Sequence, residues 1–216
     1  MKTSPTATRL FVIALLAALS TPLGARAAPA TRSSSGRAMS SGGTDPSMGA
    51  PVGAVDYSFF LALDLPPSGY NAGPRLAGEF MYGFVDLSPQ ARLSLGGRGA
   101  FAYHGGDFGN SLWILEAVPD AKLTLSLAPK LSVYGDFGLG LAVLDVSQDI
   151  PGVPALGIPP RSVSDSTIAV TFQIGGGVSY ALSPNMNLLG EVRFDIYTRS
   201  GSSTFVSIPT VGLQFH

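Results

Sequence analysis

Apolar and polar side chains alternate one by one through most of this chain, from about Val55 to the C-terminus. In Leu131-Ser-Val-Tyr-Gly-Asp-Phe-Gly-Leu-Gly-Leu141 every odd position except Gly135 is apolar, and Asp136 falls on the even face. In Met186-Asn-Leu-Leu-Gly-Glu-Val-Arg-Phe-Asp-Ile196 the even positions are apolar apart from Gly190, and Glu191, Arg193 and Asp195 share the other face. Successive side chains of a strand point to opposite faces of a sheet, so a two-residue period predicts strands. Segments of about ten such residues, recurring along the chain, have the length and pattern of strands that cross a bilayer as a closed barrel.

Composition fits that reading. Charged residues make up 12% of the 216, roughly half of the ~25% usual in soluble domains. Hydrophobic residues reach 45%, yet no uninterrupted apolar run of about 18 residues exists to make a transmembrane helix. Lysine occurs only at 2, 122 and 130, which excludes a basic nucleic-acid surface. Cysteine is absent, and the two histidines, His104 and His216, are far apart, so no metal cluster and no cofactor are expected. The runs Gly96-Gly97-Arg-Gly99 and Gly175-Gly-Gly177 precede no helix and are not phosphate loops.

Residues 1–27 read as a signal peptide. Lys2 and Arg9 give the positive region, Leu10 to Leu19 the apolar core, and Ala25-Arg-Ala27 the small-residue cleavage site. Cleavage there removes Lys2, Arg9 and Arg26 from the 13 basic residues and leaves 14 acidic ones, a net negative chain. Residues 28–53, rich in Ser, Gly, Ala and Pro, bury too little apolar surface to offset chain entropy and are expected to be a disordered periplasmic leader. Residues 54–216 are the barrel.

Three short connections punctuate it: Leu87-Ser-Pro-Gln90, Leu127-Ala-Pro-Lys130 and Leu182-Ser-Pro-Asn185. Proline fixes φ for a turn and lacks a ladder donor. Between them lie Gly/Pro-rich connections near 65–73, 104–110, 147–164 and 199–203. Short and long connections alternate, as an up-and-down barrel requires. The implied strands cover 54–64, 75–86, 91–103, 111–126, 131–145, 165–181, 186–198 and 204–216. The fold class is therefore all-β: an eight-stranded antiparallel up-and-down transmembrane barrel, with both termini on the short-turn, periplasmic side.

Face assignment follows from parity. Val55, Tyr57, Phe59, Leu61, Phe80, Phe137, Val170 and Phe194 belong to the lipid face. Asp56, Glu79, Arg92, Arg98, Glu116, Asp120, Lys122, Asp136, Glu191, Arg193 and Asp195 belong to the lumen. Asp86 and Asp145 break the rule at strand ends, where a charge costs roughly 0–1 kcal/mol rather than the ~2–4 of the midplane. Tyr103, Trp113 and Phe205 are expected in the outer aromatic girdle, and Tyr57, Phe84, Tyr180 and Phe215 in the periplasmic one. Pro119, inside a strand, predicts a bulge or a local break. The glycine runs predict curved wall or room for long lumen side chains.

With these features in place the chain resembles small eight-stranded outer-membrane proteins of the OmpA transmembrane-domain and OmpX-like type, with the OmpW-like group second. Val211, Leu213 and Phe215 resemble the assembly signal read by the barrel-assembly machinery, from which the chain departs by adding His216. The resemblance implies a structural or surface-interaction role, a monomer, contact with outer-membrane lipid and lipopolysaccharide, and a lumen plugged by charge that conducts weakly at most. Glu79, Arg98, Glu116, Lys122, Asp136, Glu191 and Arg193 would form that network. Alternatives are OmpW-like passage of small apolar molecules and a lipid A-modifying enzyme. The enzyme is disfavoured: His104 with Asp107 and Ser111 makes a triad only on paper, and a lone loop histidine reads as solvated surface. The 147–164 connection, with four prolines, is a candidate lid or binding site for an unnamed ligand.

Overall fold

The computed structural model describes residues 45–216 apart from 67–68, 153–154, 156–158 and 200. The signal peptide and the leader up to residue 44 lie outside the described residues. Eight strands form a closed antiparallel barrel: β1 (Val55–Leu65), β2 (Gly73–Ser88), β3 (Ala91–Gly105), β4 (Ser111–Ala128), β5 (Leu131–Ile150), β6 (Arg161–Ser183), β7 (Met186–Arg199) and β8 (Gly201–Phe215). Each strand pairs with its chain neighbours, and β8 closes on β1 with Phe215 opposite Tyr57 and Val211 opposite Leu61. Closure removes the free sheet edges within the wall that would otherwise expose unpaired backbone to lipid.

The side-chain distribution is inside out. Tyr57, Phe59, Leu61, Phe80, Phe137, Ile168, Val170 and Phe194 are exposed on the outer wall. Asp56, Glu79, Arg92, Arg98, Asp136, Arg193 and Asp195 are buried within it. Water would penalise such an apolar exterior; a bilayer matches it.

Two bulges decide what parity does. Between β7 and β8, Glu191 faces Thr210 but Arg193 faces Ser207, and β1 shows the same slip between Ala62 and Asp64. Two residues of β8, Ile208 and Pro209, stand where β7 has the single residue Val192, and proline has no ladder N–H to lose there. A one-residue slip sends every later side chain to the other face. Phe205 accordingly stands opposite Asp195 and is buried in the lumen, which corrects its assignment to the outer girdle. In β2 a similar slip at Phe84, between Gly83 and Val85, sets Asp86 opposite Arg92. That explains the Asp86 exception: the carboxylate reaches Arg92 Nε at 2.7 Å.

Pro119 produces a break rather than a bulge. The β4–β5 ladder omits Val118 and Pro119 and resumes in unchanged register from Ala117 opposite Leu141 to Asp120 opposite Gly138. Gly175 makes room for charge, since a Cβ there would lie 2.6 Å from Asp136 Oδ1 and 3.2 Å from Arg193 Cζ.

The leader expected to lack structure through residue 53 needs correction over its last stretch. Pro46–Met48 form a 3-10 turn capped by Asp45, and Ser47, Met48 and Ala50 are buried. Long, hydrogen-bonding lumen side chains hold this stretch, which its own composition does not reveal.

Candidate functional site: the barrel lumen

The described interior holds a leader segment at the short-turn end, an ionic middle, and a loop end where charged and apolar side chains lie side by side. At the short-turn end the leader segment enters the barrel. Asp45 accepts hydrogen bonds from Ser126 Oγ (2.7 Å), the Ser47 amide (3.0 Å) and the Lys130 amide (3.3 Å). Arg92 donates to the carbonyls of Gly49 (3.1 Å) and Ala50 (2.5 Å), and Asn187 donates to that of Pro46 (3.0 Å). Asp56 is the node. It accepts from the Ala50 amide (2.7 Å) and Gln214 Nε2 (3.0 Å), and it meets His216 Nδ1 at 2.6 Å. The residue that departs from the assembly-signal pattern thus closes the seam between β1 and β8 over the plug.

Burial raises the Asp45 carboxyl, but its hydrogen bonds from Ser126, Ser47 and Lys130 outweigh this and leave it below the usual carboxylate range. A carboxylate depressed on folding stabilises its attachment above its unfolded value of about 4, and the contribution is lost as pH falls through the folded value. With Trp113→Phe and Met48→Trp combined, acrylamide quenching is therefore expected to rise as pH is lowered below about 4. Adding Asp45→Ala should give high quenching at every pH. Quenching that is flat with pH and indifferent to Asp45→Ala would show that this carboxylate does not hold the plug.

The middle layer is ionic. Lys122 pairs with Glu79, Glu79 with Arg98 (3.5 Å), Arg98 with Glu191 (2.6 Å), Glu191 with Arg193 (3.2 Å) and Arg193 with Asp136 (2.8 Å). Six of the seven expected network residues thus form one chain of contacts. Aromatic faces support it: Phe60 lies 4.2 Å from Arg98 Cζ, Tyr134 lies 4.9 Å from Lys122 Nζ, and the Tyr134 hydroxyl donates to Glu191 (3.1 Å).

Glu116, the seventh, sits in a second group. Arg75 pairs with it, with Asp195 (2.9 Å) and with Asp64 (3.7 Å). Gln173 joins the two groups, donating to Glu116 at 2.9 Å and accepting from Arg193 at 3.4 Å. Asp64 and Arg75 share the parity of Asp56 and Glu79 and sit at the loop-side ends of their strands.

His104 requires a correction. It lies in β3, is completely buried, and meets Asp64 Oδ2 and the Asn71 carbonyl at 3.2 Å each, not Asp107 and Ser111. Beside it Ala102, Leu112, Ile114, Ala142, Leu144, Ala169, Tyr197 and Phe205 form one apolar cluster, in which Leu112 pairs with His104 and Ala102 with Arg75. Phe205 packs edge-on against Tyr197 with ring centres 5.0 Å apart.

On the outer wall Tyr57, Phe84, Tyr103, Tyr180 and Phe215 are exposed and Trp113 is half-buried. Val211, Leu213 and Phe215 also face out. The candidate lid is shorter than expected, because pairing of β5 with β6 extends to Ile150 opposite Arg161. Much of the remaining connection lies outside the described residues.

The chain matches the family described as outer membrane protein beta-barrel domain over residues 11–213. Among solved structures, neisserial surface protein A is 15% identical with a TM-score of 0.47, over 74% of this chain and 94% of that one. Ail, the attachment invasion locus protein of Yersinia pestis, is 15% identical with a TM-score of 0.41, over 74% and 95%. The outer membrane enzyme PagL is 14% identical with a TM-score of 0.46, over 74% and 98%. No curated protein matches.

Proposed function

The chain belongs to the outer membrane protein beta-barrel family, and on that premise we propose that it is a closed barrel of the bacterial outer membrane. It acts as a structural and surface-contact protein, not as a channel. The occupied lumen carries this reading: the plug at the short-turn end, the ion network, and an apolar cluster interleaved with the Arg75 and His104 group at the loop end. Eight strands enclose a space that side chains just fill, so a through-route would require at least two layers to move. Both termini and the proline turns then face the periplasm, and the long connections face outward. Lipopolysaccharide and lipid are its surroundings, and the exposed aromatic residues at the two rims anchor it.

Planar-bilayer recording tests this. The full barrel is expected to pass no discrete current. Removing 45–53 opens the short-turn mouth but leaves the apolar layer, so that variant should also be silent. Discrete conductance that changes in Arg98→Ala or Glu191→Ala would replace the structural barrel with a gated pore.

The pairing of His104 with Asp64 supports a non-enzymatic role, since the imidazole is committed to holding the loop end through the Asn71 carbonyl. Lipid A mass spectra should be unchanged by expression of the chain. A His104-dependent change would establish an enzyme instead.

A further inference from the structure

At the loop end the outer wall changes character over three rows of side chains. Phe101, Leu115, Val143 and Ile168 are cross-strand partners across β3, β4, β5 and β6, and all four are apolar. One row nearer the loops stand Tyr103, Trp113, Asp145 and Ser166, again in mutual register. The row beyond is Gly105, Ser111, Ser147 and Ser164. No register slip falls within these rows, so all three share the outward parity of Phe101 and Ile168. Successive rows lie roughly 7 Å apart along the strands, which sets the middle row where hydrocarbon gives way to headgroups.

That middle row is more than an aromatic girdle. Its two rings stand beside a carboxylate, which Ser166 Oγ holds in place by donating to Asp145 Oδ2. Tyr103 is exposed, and Trp113, Asp145 and Ser166 are half-buried, so the row is open to what surrounds the barrel. A carboxylate has about four acceptor positions, and one serine uses one of them. None of the residues in the three rows is Lys, Arg or His, so an anionic headgroup would meet Asp145 without a counter-charge. The chemistry that fits is a neutral headgroup rich in donors, with hydroxyls for the carboxylate and a C–H face for the indole. A sugar supplies both.

We infer that Tyr103, Trp113, Asp145 and Ser166 form a site on the outer wall for the uncharged sugar headgroup of a glycolipid. Asp145 accepts from the sugar hydroxyls, and Trp113 and Tyr103 cover its C–H face while the acyl chains lie along the apolar row of Phe101 and Ile168. The inference rests on the proposed membrane setting and names, within it, the lipid class that the loop-side rim selects.

Trp113 is the only tryptophan of the chain and reports on its own site. The test places the full folded chain in phosphatidylcholine vesicles that carry a minor fraction of one lipid brominated near the carbonyl end of its acyl chains. Glucosyl diacylglycerol should quench Trp113 about threefold more than phosphatidylcholine at the same fraction, the enrichment that one net hydrogen bond to a charged acceptor gives. Phosphatidylglycerol should quench it less than phosphatidylcholine. Asp145→Ala should bring the glucolipid down to the phosphatidylcholine level, and Asp145→Asn, which keeps the shape, should weaken the preference. Asp145→Lys should reverse the order in favour of phosphatidylglycerol. Equal quenching by the glucolipid and phosphatidylcholine in the wild type, or a preference that survives Asp145→Ala, would overturn the inference. Displacement of the glucolipid by dissolved methyl glucoside would make the ligand a free sugar and overturn its lipid source. Gel migration before and after boiling separates the two levels. A wild-type chain whose migration ignores boiling would sink the barrel itself, whereas a folded barrel without lipid preference sinks only the sugar site.

Discussion

Arg193→Ala is expected to lower the unfolding free energy of the barrel by about 3–5 kcal/mol, the usual result of stripping one partner from a buried ion pair. Arg193 is completely buried and touches Asp136 at 2.8 Å, Glu191 at 3.2 Å and Gln173 at 3.4 Å. Its removal strands the buried Asp136 carboxylate and leaves Glu191 with Arg98 and Tyr134 alone. Gly175 and Gly138 leave the wall beside Asp136 and Asp120 too tight for a larger neighbour to fill the gap: a Cβ at Gly138 would lie 2.5 Å from Val118 Cγ1. The measurement is a urea titration of the barrel in lipid vesicles, read by Trp113 fluorescence and by gel migration. Pairing Arg193→Met with Asp136→Asn should recover part of the loss, because neutralising both sides removes one stranded charge. A loss below about 1 kcal/mol would mean that water reaches the network. The closed lumen, and the silence expected in bilayers, would go with it.

Phe205→Ala should cost a similar ~3–5 kcal/mol, the range for truncating a fully buried aromatic residue. The ring packs on Tyr197 and lies 5.6 Å from the ring of His104, within the apolar layer that closes the loop end. A tryptophan probe makes the test directional. In a Trp113→Phe background, Phe84→Trp faces lipid and should be strongly quenched by brominated acyl chains, whereas Phe205→Trp should not. Strong quenching at 205, with a small loss for Phe205→Ala, would return this ring to the outer girdle and remove the Pro209 bulge with it.

Much of the molecule was legible in the chain because alternation is a local property. A residue of β1 such as Tyr57 or Asp56 finds its face from its own strand alone, and the proline turns mark the strand ends without reference to any neighbour. The residues of the ion network, among them Arg98, Glu191 and Arg193, were found by the same parity.

What escaped depends on contacts between strands distant in sequence. The slip at Ile208–Pro209 exists only in relation to β1 and β7, and it alone turns Phe205 inward. His104 looked like a loop residue because its partner, Asp64, lies 40 positions away on a strand end. Asp45 to Ala50 look like unstructured leader until Arg92, Asn187 and Asp56 converge on their backbone. Sequence by itself determined that this chain forms strands, how many, and which face of each meets lipid, since those follow from side chains two residues apart. Tertiary structure alone decided what fills the lumen and where the alternation reverses, because closing the ring sets register between strands and brings together polar groups that no local spacing relates.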